Sequence, residues 1–277
     1  MTDRYAVVGN PVAHSLSPQV HREFARQTGQ DIAYTAILAP LNGFKAAVLR
    51  FRDDGGKGVN VTLPFKREAW DLAADLRGDA LECEAVNTMD FRDGRIVGYN
   101  TDGIGLVADL ERNLGFPIRG RRVLLMGAGG ASYGVMHSIF NAAPESLVVA
   151  NRTPDKADSL IAHFKRSEKY ALRDVSAKPY QELAGSRFDL VINATSAGLN
   201  DEMPPLPPGV FTEGALAYDM VYGRHTPFMR FASEQGARTS DGMGMLIEQA
   251  AESFLIWRGV RPQTAPVIAM LKGVNSG

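Results

Sequence analysis

Large aliphatic residues recur along this chain in short runs that alternate with amphipathic stretches, a pattern typical of alternating strands and helices. The clearest run covers residues 123–126 and ends abruptly in Gly127 and Gly129, after which a helical pattern begins. Consecutive aliphatic side chains suit a strand that is buried on both faces of a parallel sheet. The run therefore predicts a strand, a tight turn and a helix, the unit in which helix N-termini bind diphosphates.

The alternation continues regularly beyond this turn. Further aliphatic runs at residues 147–150, 189–193 and 216–221 are separated by helical or loop segments. This succession predicts a parallel βαβ domain of the nucleotide-binding type. The Gly-x-Gly turn alone is also compatible with an ordinary βα connection, so the following residues decide between the two interpretations.

The end of the second strand of this domain is where dinucleotide folds distinguish NAD from NADP. An acidic residue would bind the ribose 2′-hydroxyl of NAD there, but the chain has Asn151, Arg152 and Thr153, with Lys156 one turn further on. Two cations at that place suit a 2′-phosphate, and hence NADP, although an isolated basic pair is often only solvated. We expect an NADP site.

The first hundred residues predict a second domain with a mixed sheet. Strand-like runs occur at residues 5–8, 34–38, 58–62, 85–89 and 96–100. Asp93-Gly94, between the last two runs, is a hairpin signal and requires antiparallel pairing. Ser17 before Pro18 predicts a helix N-cap followed by proline at the first helical position. Two amphipathic segments after residue 243 are expected to pack back on this first domain.

Polar residues collect where these first strands end. Ser15 and Ser17 follow the first strand, while Asn60 and Thr62 alternate with valines on the third, and Lys66 comes just inside the next helix. Open α/β sheets bind ligands at the carboxyl ends of their strands, so we expect a site for a small polar molecule here. In isolation, Ser17 is explained by capping and Lys66 by solvation.

Composition narrows the class of protein. At 277 residues the chain suggests two domains, and a net charge of −1 provides no basic field, so we expect no nucleic-acid partner. Cys83 is the only cysteine, which excludes an intrachain disulfide and a thiolate zinc cluster; we expect no metal. With no basic and apolar leader and no long apolar run, the sequence predicts a soluble, cytoplasmic protein without membrane contact.

Five separated motifs together resemble the shikimate dehydrogenase family over nearly the whole chain. They are GNPVAHSLSP at residues 9–18, NVTLPFK at 60–66, AVNT at 85–88 with NTDG at 100–103, GAGGAS at 127–132 with NRT at 151–153, and GMGMLIEQA at 242–250. Each motif is weak alone, but their order and spacing are specific.

The resemblance implies NADP-linked interconversion of 3-dehydroshikimate and shikimate, a step in chorismate and aromatic amino acid biosynthesis. It implies a substrate-binding domain of residues 1–102 plus 243–277 and an inserted Rossmann-type NADP-binding domain of residues 103–242. The partner would be the small-molecule substrate, and the chain would be a monomer or a homodimer.

The resemblance also implies roles for particular residues. Lys66 would be the catalytic acid/base and Asp102 its partner. The residues implied to bind the substrate are Ser15, Ser17, Asn60, Thr62, Asn87, Asp102, Tyr222 and Gln249. The residues implied to bind NADP are Gly127, Ala128, Gly129, Gly130, Ala131, Asn151, Arg152, Thr153, Lys156, Met220 and Gly242.

Two departures and two alternatives accompany this assignment. Tyr133 stands where many members carry Arg, and Glu82, Cys83 and Glu84 replace small apolar residues before the AVNT motif. One alternative is a quinate/shikimate dehydrogenase using NAD, which the basic residue Arg152 disfavours. The other is a non-catalytic NADP-binding sensor on the same fold, which would be expected to have lost the catalytic pair.

Overall fold

The computed structural model describes residues 2–167, 170 and 174–274. The chain forms two compact units. One comprises the residues up to Gly105 together with those from Leu246 onward, and the other is Leu106–Met245.

Among the described residues, each unit contains one six-stranded sheet. The strands are β1 (Asp3–Gly9), β2 (Ile32–Leu38), β3 (Gly56–Val61), β4 (Asp75–Arg77), β5 (Thr88–Arg92), β6 (Arg95–Tyr99), β7 (Arg122–Met126), β8 (Ser146–Ala150), β9 (Val175–Lys178), β10 (Phe188–Asn193), β11 (Phe211–Asp219) and β12 (Arg238–Ser240).

Helices connect the strands and close the chain. The α-helices are α1 (Ser17–Thr28), α2 (Phe44–Asp53), α3 (Lys66–Leu72), α4 (Ala80–Cys83), α5 (Asp102–Ala108), α6 (Gly130–Asn141), α7 (Pro154–Lys165), α8 (Pro227–Glu234), α9 (Met243–Arg258) and α10 (Ala265–Val274). A π-helical turn, Asp109–Asn113, continues α5.

The sheet of the first unit is mixed, as the hairpin signal predicts. Its order is β2-β1-β3-β5-β6-β4, with β1 parallel to both β2 and β3 and with β5 antiparallel to β3 and β6. Asp93 and Gly94 both have positive φ, 50° and 74°, which is the backbone of a two-residue hairpin turn. The last helices return to this unit, so that part of the predicted fold is confirmed.

The core of the first unit forms from the faces that the sequence pattern indicates. Val59 and Val61 of β3 are buried with Phe44, Val48 and Phe51 of α2 in one cluster. Burying each such side chain contributes about 1.5–3 kcal/mol to folding, so this layer fixes the end of β3 from which Asn60 and Thr62 project.

Two local predictions for this unit are wrong. Ser17 is the first residue of α1 and does not cap it; the Ser15 hydroxyl accepts from the Ser17 backbone N–H at 3.3 Å. The strand predicted at residues 85–89 begins only at Thr88. Val86 N–H donates to the Lys66 carbonyl at 2.9 Å, so this segment pairs with the start of α3 before it joins the sheet.

The second unit is the predicted parallel sheet. Its order, β12-β11-β10-β7-β8-β9, places β7 beside both β8 and β10, which is the doubly wound arrangement with a switch point at the end of β7. The short outer strands β9 and β12 carry few aliphatic residues, and the sequence pattern did not predict them. Among the described residues, no helix is long and apolar enough to cross a bilayer.

A buried histidine in the first unit gives a prediction about stability. Burial lowers the pKa of His21 to about 3, well below its ordinary 6.5. Between those two values the unfolded chain takes up a proton that the folded protein does not. The free energy of unfolding should therefore fall by about 1.4 kcal/mol for each unit that the pH falls below 6.5, from this residue alone.

The His21→Phe variant, which keeps an aromatic ring, should lose that dependence. Urea unfolding followed from pH 6.5 to pH 4 measures it as a slope shallower than wild type by about one proton. His225→Gln, at an exposed position, is the matched control and should keep the wild-type slope. Parallel slopes for wild type and His21→Phe would show that His21 takes up its proton in the folded protein.

Candidate active site

The first unit holds a sheltered ion pair between two helix N-termini. Lys66 is the first residue of α3 and Asp102 the first residue of α5. Lys66 Nζ donates to Asp102 Oδ2 at 2.6 Å, and their side chains are 19% and 9% exposed. Charges sheltered in this way interact more strongly than a surface pair would, so the two side chains are held together.

Asn87 fixes the other oxygen of this carboxylate. Its Nδ2 donates to Asp102 Oδ1 at 2.8 Å, while its Oδ1 accepts from the Thr101 backbone N–H at 2.9 Å. The amide orientation is therefore determined from both sides. Gln249, on α9, lies at the edge of the cluster with Oε1 3.4 Å from Asn87 Nδ2. The structure thus brings the side chains of Lys66, Asn87, Asp102 and Gln249 together.

Asn60 lies behind this cluster. Its Nδ2 donates to the Asn87 carbonyl at 3.2 Å, to Thr88 Oγ1 at 3.1 Å and to Ser253 Oγ at 3.0 Å. Its Oδ1 accepts from the Tyr34 hydroxyl at 2.7 Å. Tyr34, Thr88 and Ser253 are not among the predicted site residues. Two signals could have found them: Thr88 belongs to the AVNT motif, and Ser253 follows Gln249 by one helical turn.

The loop between β1 and α1, residues 10–16, lies at the carboxyl edge of the same sheet as the end of β3. Asn10 N–H donates to the Leu63 carbonyl at 3.0 Å and joins the two loops. A Cβ on Gly9 would lie 2.3 Å from the Thr62 methyl, so glycine is required for this close approach. Ser15 is half-buried and Ser17 buried. These hydroxyls and the amides of Asn60 and Asn87 are what a polyhydroxylated ligand needs.

The second unit carries the glycine turn between β7 and α6. Gly127 has φ of 106°, and a Cβ there would meet the Ala194 carbonyl group at 3.2 Å. Gly129 and Gly130 are exposed, with no atom within 4 Å of a built Cβ. Ser132, at the third position of the fingerprint, is fully buried and its hydroxyl donates to the Gly127 carbonyl at 2.8 Å. The turn leaves room for a diphosphate at the start of α6.

Arg152 and Lys156 are exposed beyond the end of β8. Asn151 Nδ2 donates to the Thr153 carbonyl at 2.8 Å and shapes the loop that carries Arg152. The Arg152 side chain is 82% exposed, and its Nη2 lies 3.9 Å from Glu202 Oε2. The sequence shows no carboxylate in this loop, but the structure brings one beside it from the loop before β11.

Two further predicted residues, Met220 and Tyr222, lie in the loop after β11, and a third, Gly242, follows β12. A Cβ on Gly242 would lie 2.4 Å from the Met220 carbonyl oxygen, so this close approach requires glycine. Tyr222 is half-buried, and burial raises the pKa of its hydroxyl. The buried Asp219 carboxylate accepts from the Val221 N–H at 3.0 Å and from the Thr226 hydroxyl at 2.6 Å, which holds the loop in shape.

The two departures from the family pattern have local structural consequences. Tyr133 packs edge-on against His163 at 5.4 Å between ring centres. Burial raises the pKa of the Cys83 thiol to about 12, so it remains an inert part of the core. Glu84 adopts a positive φ of 46° and pairs with Arg67.

Fold and site together define a nicotinamide-nucleotide-dependent oxidoreductase of the α/β class. Family models refine this: the shikimate dehydrogenase substrate binding domain matches residues 7–89, shikimate/quinate 5-dehydrogenase matches 110–200, and the shikimate 5′-dehydrogenase C-terminal domain matches 242–272. A shikimate dehydrogenase (NADP(+)) from Nitrosospira multiformis is 56% identical over 274 residues, 98% of each chain.

Solved structures agree with this assignment. An Ael1 enzyme from Pseudomonas putida has a TM-score of 0.90 and 48% identity over 98% of both chains. Shikimate 5-dehydrogenase from Thermus thermophilus, in complex with NADP(H) and shikimate, has a TM-score of 0.86 and 34% identity over 97% of this chain and 98% of that chain. The chain belongs to the shikimate dehydrogenase family.

Proposed function

We propose that this protein catalyses the reversible NADPH-linked reduction of 3-dehydroshikimate to shikimate, with Lys66 and Asp102 as the catalytic pair. The observation that carries the proposal is the sheltered 2.6 Å ion pair between these residues, set among amide and hydroxyl groups at the carboxyl edge of the first sheet. Sequence identity of 54–56% over at least 98% of the chain to proteins named shikimate dehydrogenase (NADP(+)) supports the substrate and the cofactor.

The substrate carries several hydroxyl groups and a carboxylate, which match the polar residues of the first unit. Ser15, Ser17 and Thr62 supply hydroxyls, while Asn60, Asn87 and Gln249 supply amides. Each amide both donates and accepts hydrogen bonds, so such a set distinguishes hydroxyl positions by their geometry. We assign Tyr222 of the second unit to the same substrate.

Proton transfer is assigned to Lys66. Reduction of a ketone requires a proton at the carbonyl oxygen as the alcohol forms, and an ammonium group is a suitable donor. Asp102 holds that ammonium through one carboxylate oxygen, and Asn87 fixes the other, so the donor points in one direction. The hydride for the reaction is the chemistry that NADPH supplies when bound.

The second unit fits an NADP-binding role. Residues 127–131 leave the start of α6 open to a diphosphate, and residues 151–153 with Lys156 place cations beyond the next strand. Met220 and Gly242 would border the nicotinamide. We therefore assign residues 103–242 to the NADP-binding domain and the rest of the chain to the substrate-binding domain.

Initial rates with shikimate and quinate, each with NADP+ and NAD+, test the proposal. We expect shikimate with NADP+ to give the highest kcat/KM, because Arg152 favours the 2′-phosphate and residues 151–153 contain no carboxylate that would bind the 2′-hydroxyl of NAD. A preference for quinate with NAD+ would identify the alternative enzyme. A folded protein that binds NADP+ but turns over neither substrate would be a sensor.

We further expect a monomer or a homodimer that acts in the cytoplasm on a small-molecule substrate. Sedimentation equilibrium of the purified chain measures the first of these.

A further inference from the structure

A run of hydrogen bonds leads from the second strand to the carboxylate of the ion pair. The Tyr34 hydroxyl donates to Asn60 Oδ1 at 2.7 Å, and Asn60 Nδ2 donates to Thr88 Oγ1 at 3.1 Å. The Thr88 hydroxyl donates to Asn87 Oδ1 at 2.9 Å, and Asn87 Nδ2 donates to Asp102 Oδ1 at 2.8 Å. Asn60, Asn87 and Thr88 are 6%, 3% and 0% exposed, so water does not replace a lost link easily.

Neighbouring backbone groups fix the direction of these bonds. The backbone carbonyl of Asn87 can only accept, and it faces Asn60 Nδ2, so the side-chain oxygen of Asn60 must face Tyr34. The Thr101 backbone N–H can only donate, and it faces Asn87 Oδ1. Burial raises the pKa of the Tyr34 hydroxyl well above its ordinary value, so this group remains a donor. All four bonds therefore donate towards Asp102.

Contacts with α1 and α9 hold the start and the middle of this run in place. The His21 ring stacks on the Tyr34 ring with 4.2 Å between centres and 5° between planes. Ser253, from α9, lies with Oγ 2.8 Å from Thr88 Oγ1 and 3.0 Å from Asn60 Nδ2. The links are therefore fixed by residues from α1, β2 and α9 that are far apart in the sequence.

We propose that Tyr34 and Thr88 are positioning residues that hold the Asp102 carboxylate, and through it Lys66, in the catalytic orientation. The proposal rests on the proposed function of that pair. Hydrogen bonds that donate in one direction polarise one another. Each earlier bond of the run therefore strengthens the final bond, in which Asn87 donates to Asp102. Neither residue touches the Lys66–Asp102 pair; Tyr34 acts first through Asn60, and Thr88 acts through Asn87.

The Tyr34→Phe variant removes one hydroxyl and keeps the ring on His21. We expect kcat with saturating shikimate and NADP+ to fall about two- to tenfold, the effect of one lost hydrogen bond, while KM for NADP+ stays within about twofold. Tyr5→Phe is the matched control. Tyr5 pairs with Tyr34 across β1 and β2, and its ring also stacks on an aromatic neighbour, Trp257. Its hydroxyl accepts from Arg258 and is not part of the run, so kcat should remain at the wild-type value.

A second pair of variants tests the link without changing the tyrosine. Thr88→Val keeps the side-chain shape and removes the hydroxyl, and should lower kcat at least as much as Tyr34→Phe. Thr88→Ser restores the hydroxyl and should restore most of kcat. Because both changes interrupt one run, the double variant Tyr34→Phe/Thr88→Val should lose no more than Thr88→Val alone.

Lys66→Ala, measured alongside, separates the two levels of the proposal. An inactive Lys66→Ala beside fully active Tyr34→Phe and Thr88→Val would overturn the positioning role and leave the catalytic pair intact. Losses that multiply in the double variant, or an equal loss in Tyr5→Phe, would also overturn it, because they would indicate a general effect on the fold. A Lys66→Ala protein with wild-type kcat would overturn the pair and the positioning role together.

Discussion

Replacing Lys66 with Ala should lower kcat for shikimate oxidation by about 10²- to 10⁴-fold, with little change in KM. In this direction the neutral Lys66 amine accepts the proton of the substrate hydroxyl, the reverse of the donation assigned to its ammonium form in reduction. A group needed mainly in the transition state contributes to kcat more than to substrate binding. Steady-state rates with both substrates varied give kcat and KM separately.

Two further variants make this result specific. Both Lys66→Ala and Lys66→Met leave the charge of Asp102 uncompensated, which can destabilise the protein. Lys66→Met fills nearly the same volume as lysine, so it separates the loss of the ammonium group from the loss of packing. Lys45→Ala, at an exposed position on α2, is the control and should behave as wild type. A folded Lys66→Met protein with wild-type kcat would assign the proton transfer to another group.

The fold of the second unit could be predicted from sequence because its signals are local. Residues 123–126 are buried on both faces, and a parallel strand buried in this way has an uninterrupted run of apolar residues in the sequence. The strands that escaped prediction are short and lie at the edges of the sheets, where a solvated face needs no apolar residues. β4, at residues 75–77, and β9, at residues 175–178, are of this kind.

The candidate site divides in the same way. Lys66 follows the end of β3, where the rule that ligands bind at the carboxyl edge of a sheet points to it, whereas Asp102 is indicated by the family resemblance. The run of bonds behind them depends on contacts such as Asn60 with Ser253, which are 193 residues apart. No local pattern records such a contact, because it exists only after α9 has returned to the first unit.

The Arg152→Ala variant should lose NADP+ affinity about ten- to a hundredfold, while its NAD+ affinity should barely change. Arg152 can donate two parallel charge-assisted hydrogen bonds to the 2′-phosphate, and Lys156 can add a point charge. Charged hydrogen bonds contribute about 1.5–3 kcal/mol, which corresponds to the expected loss. The 82% exposure of Arg152 leaves the guanidinium accessible to a ligand, so the change should not affect folding.

The carboxylate that the structure brings beside Arg152 makes the prediction sharper. Glu202 lies 3.9 Å away and competes with the phosphate for the guanidinium, so Glu202→Gln should raise NADP+ affinity by a few-fold and leave NAD+ unchanged. Asn151→Asp should move the preference towards NAD, since a carboxylate there can accept from the free 2′-hydroxyl and repels the phosphate.

Arg187→Ala, at the opposite end of the parallel strands, is the control. The measurement is kcat/KM for both cofactors at fixed ionic strength, because salt screens exposed charges. Equal losses of NADP+ and NAD+ activity in Arg152→Ala would show that this arginine supports the loop and does not distinguish the cofactors.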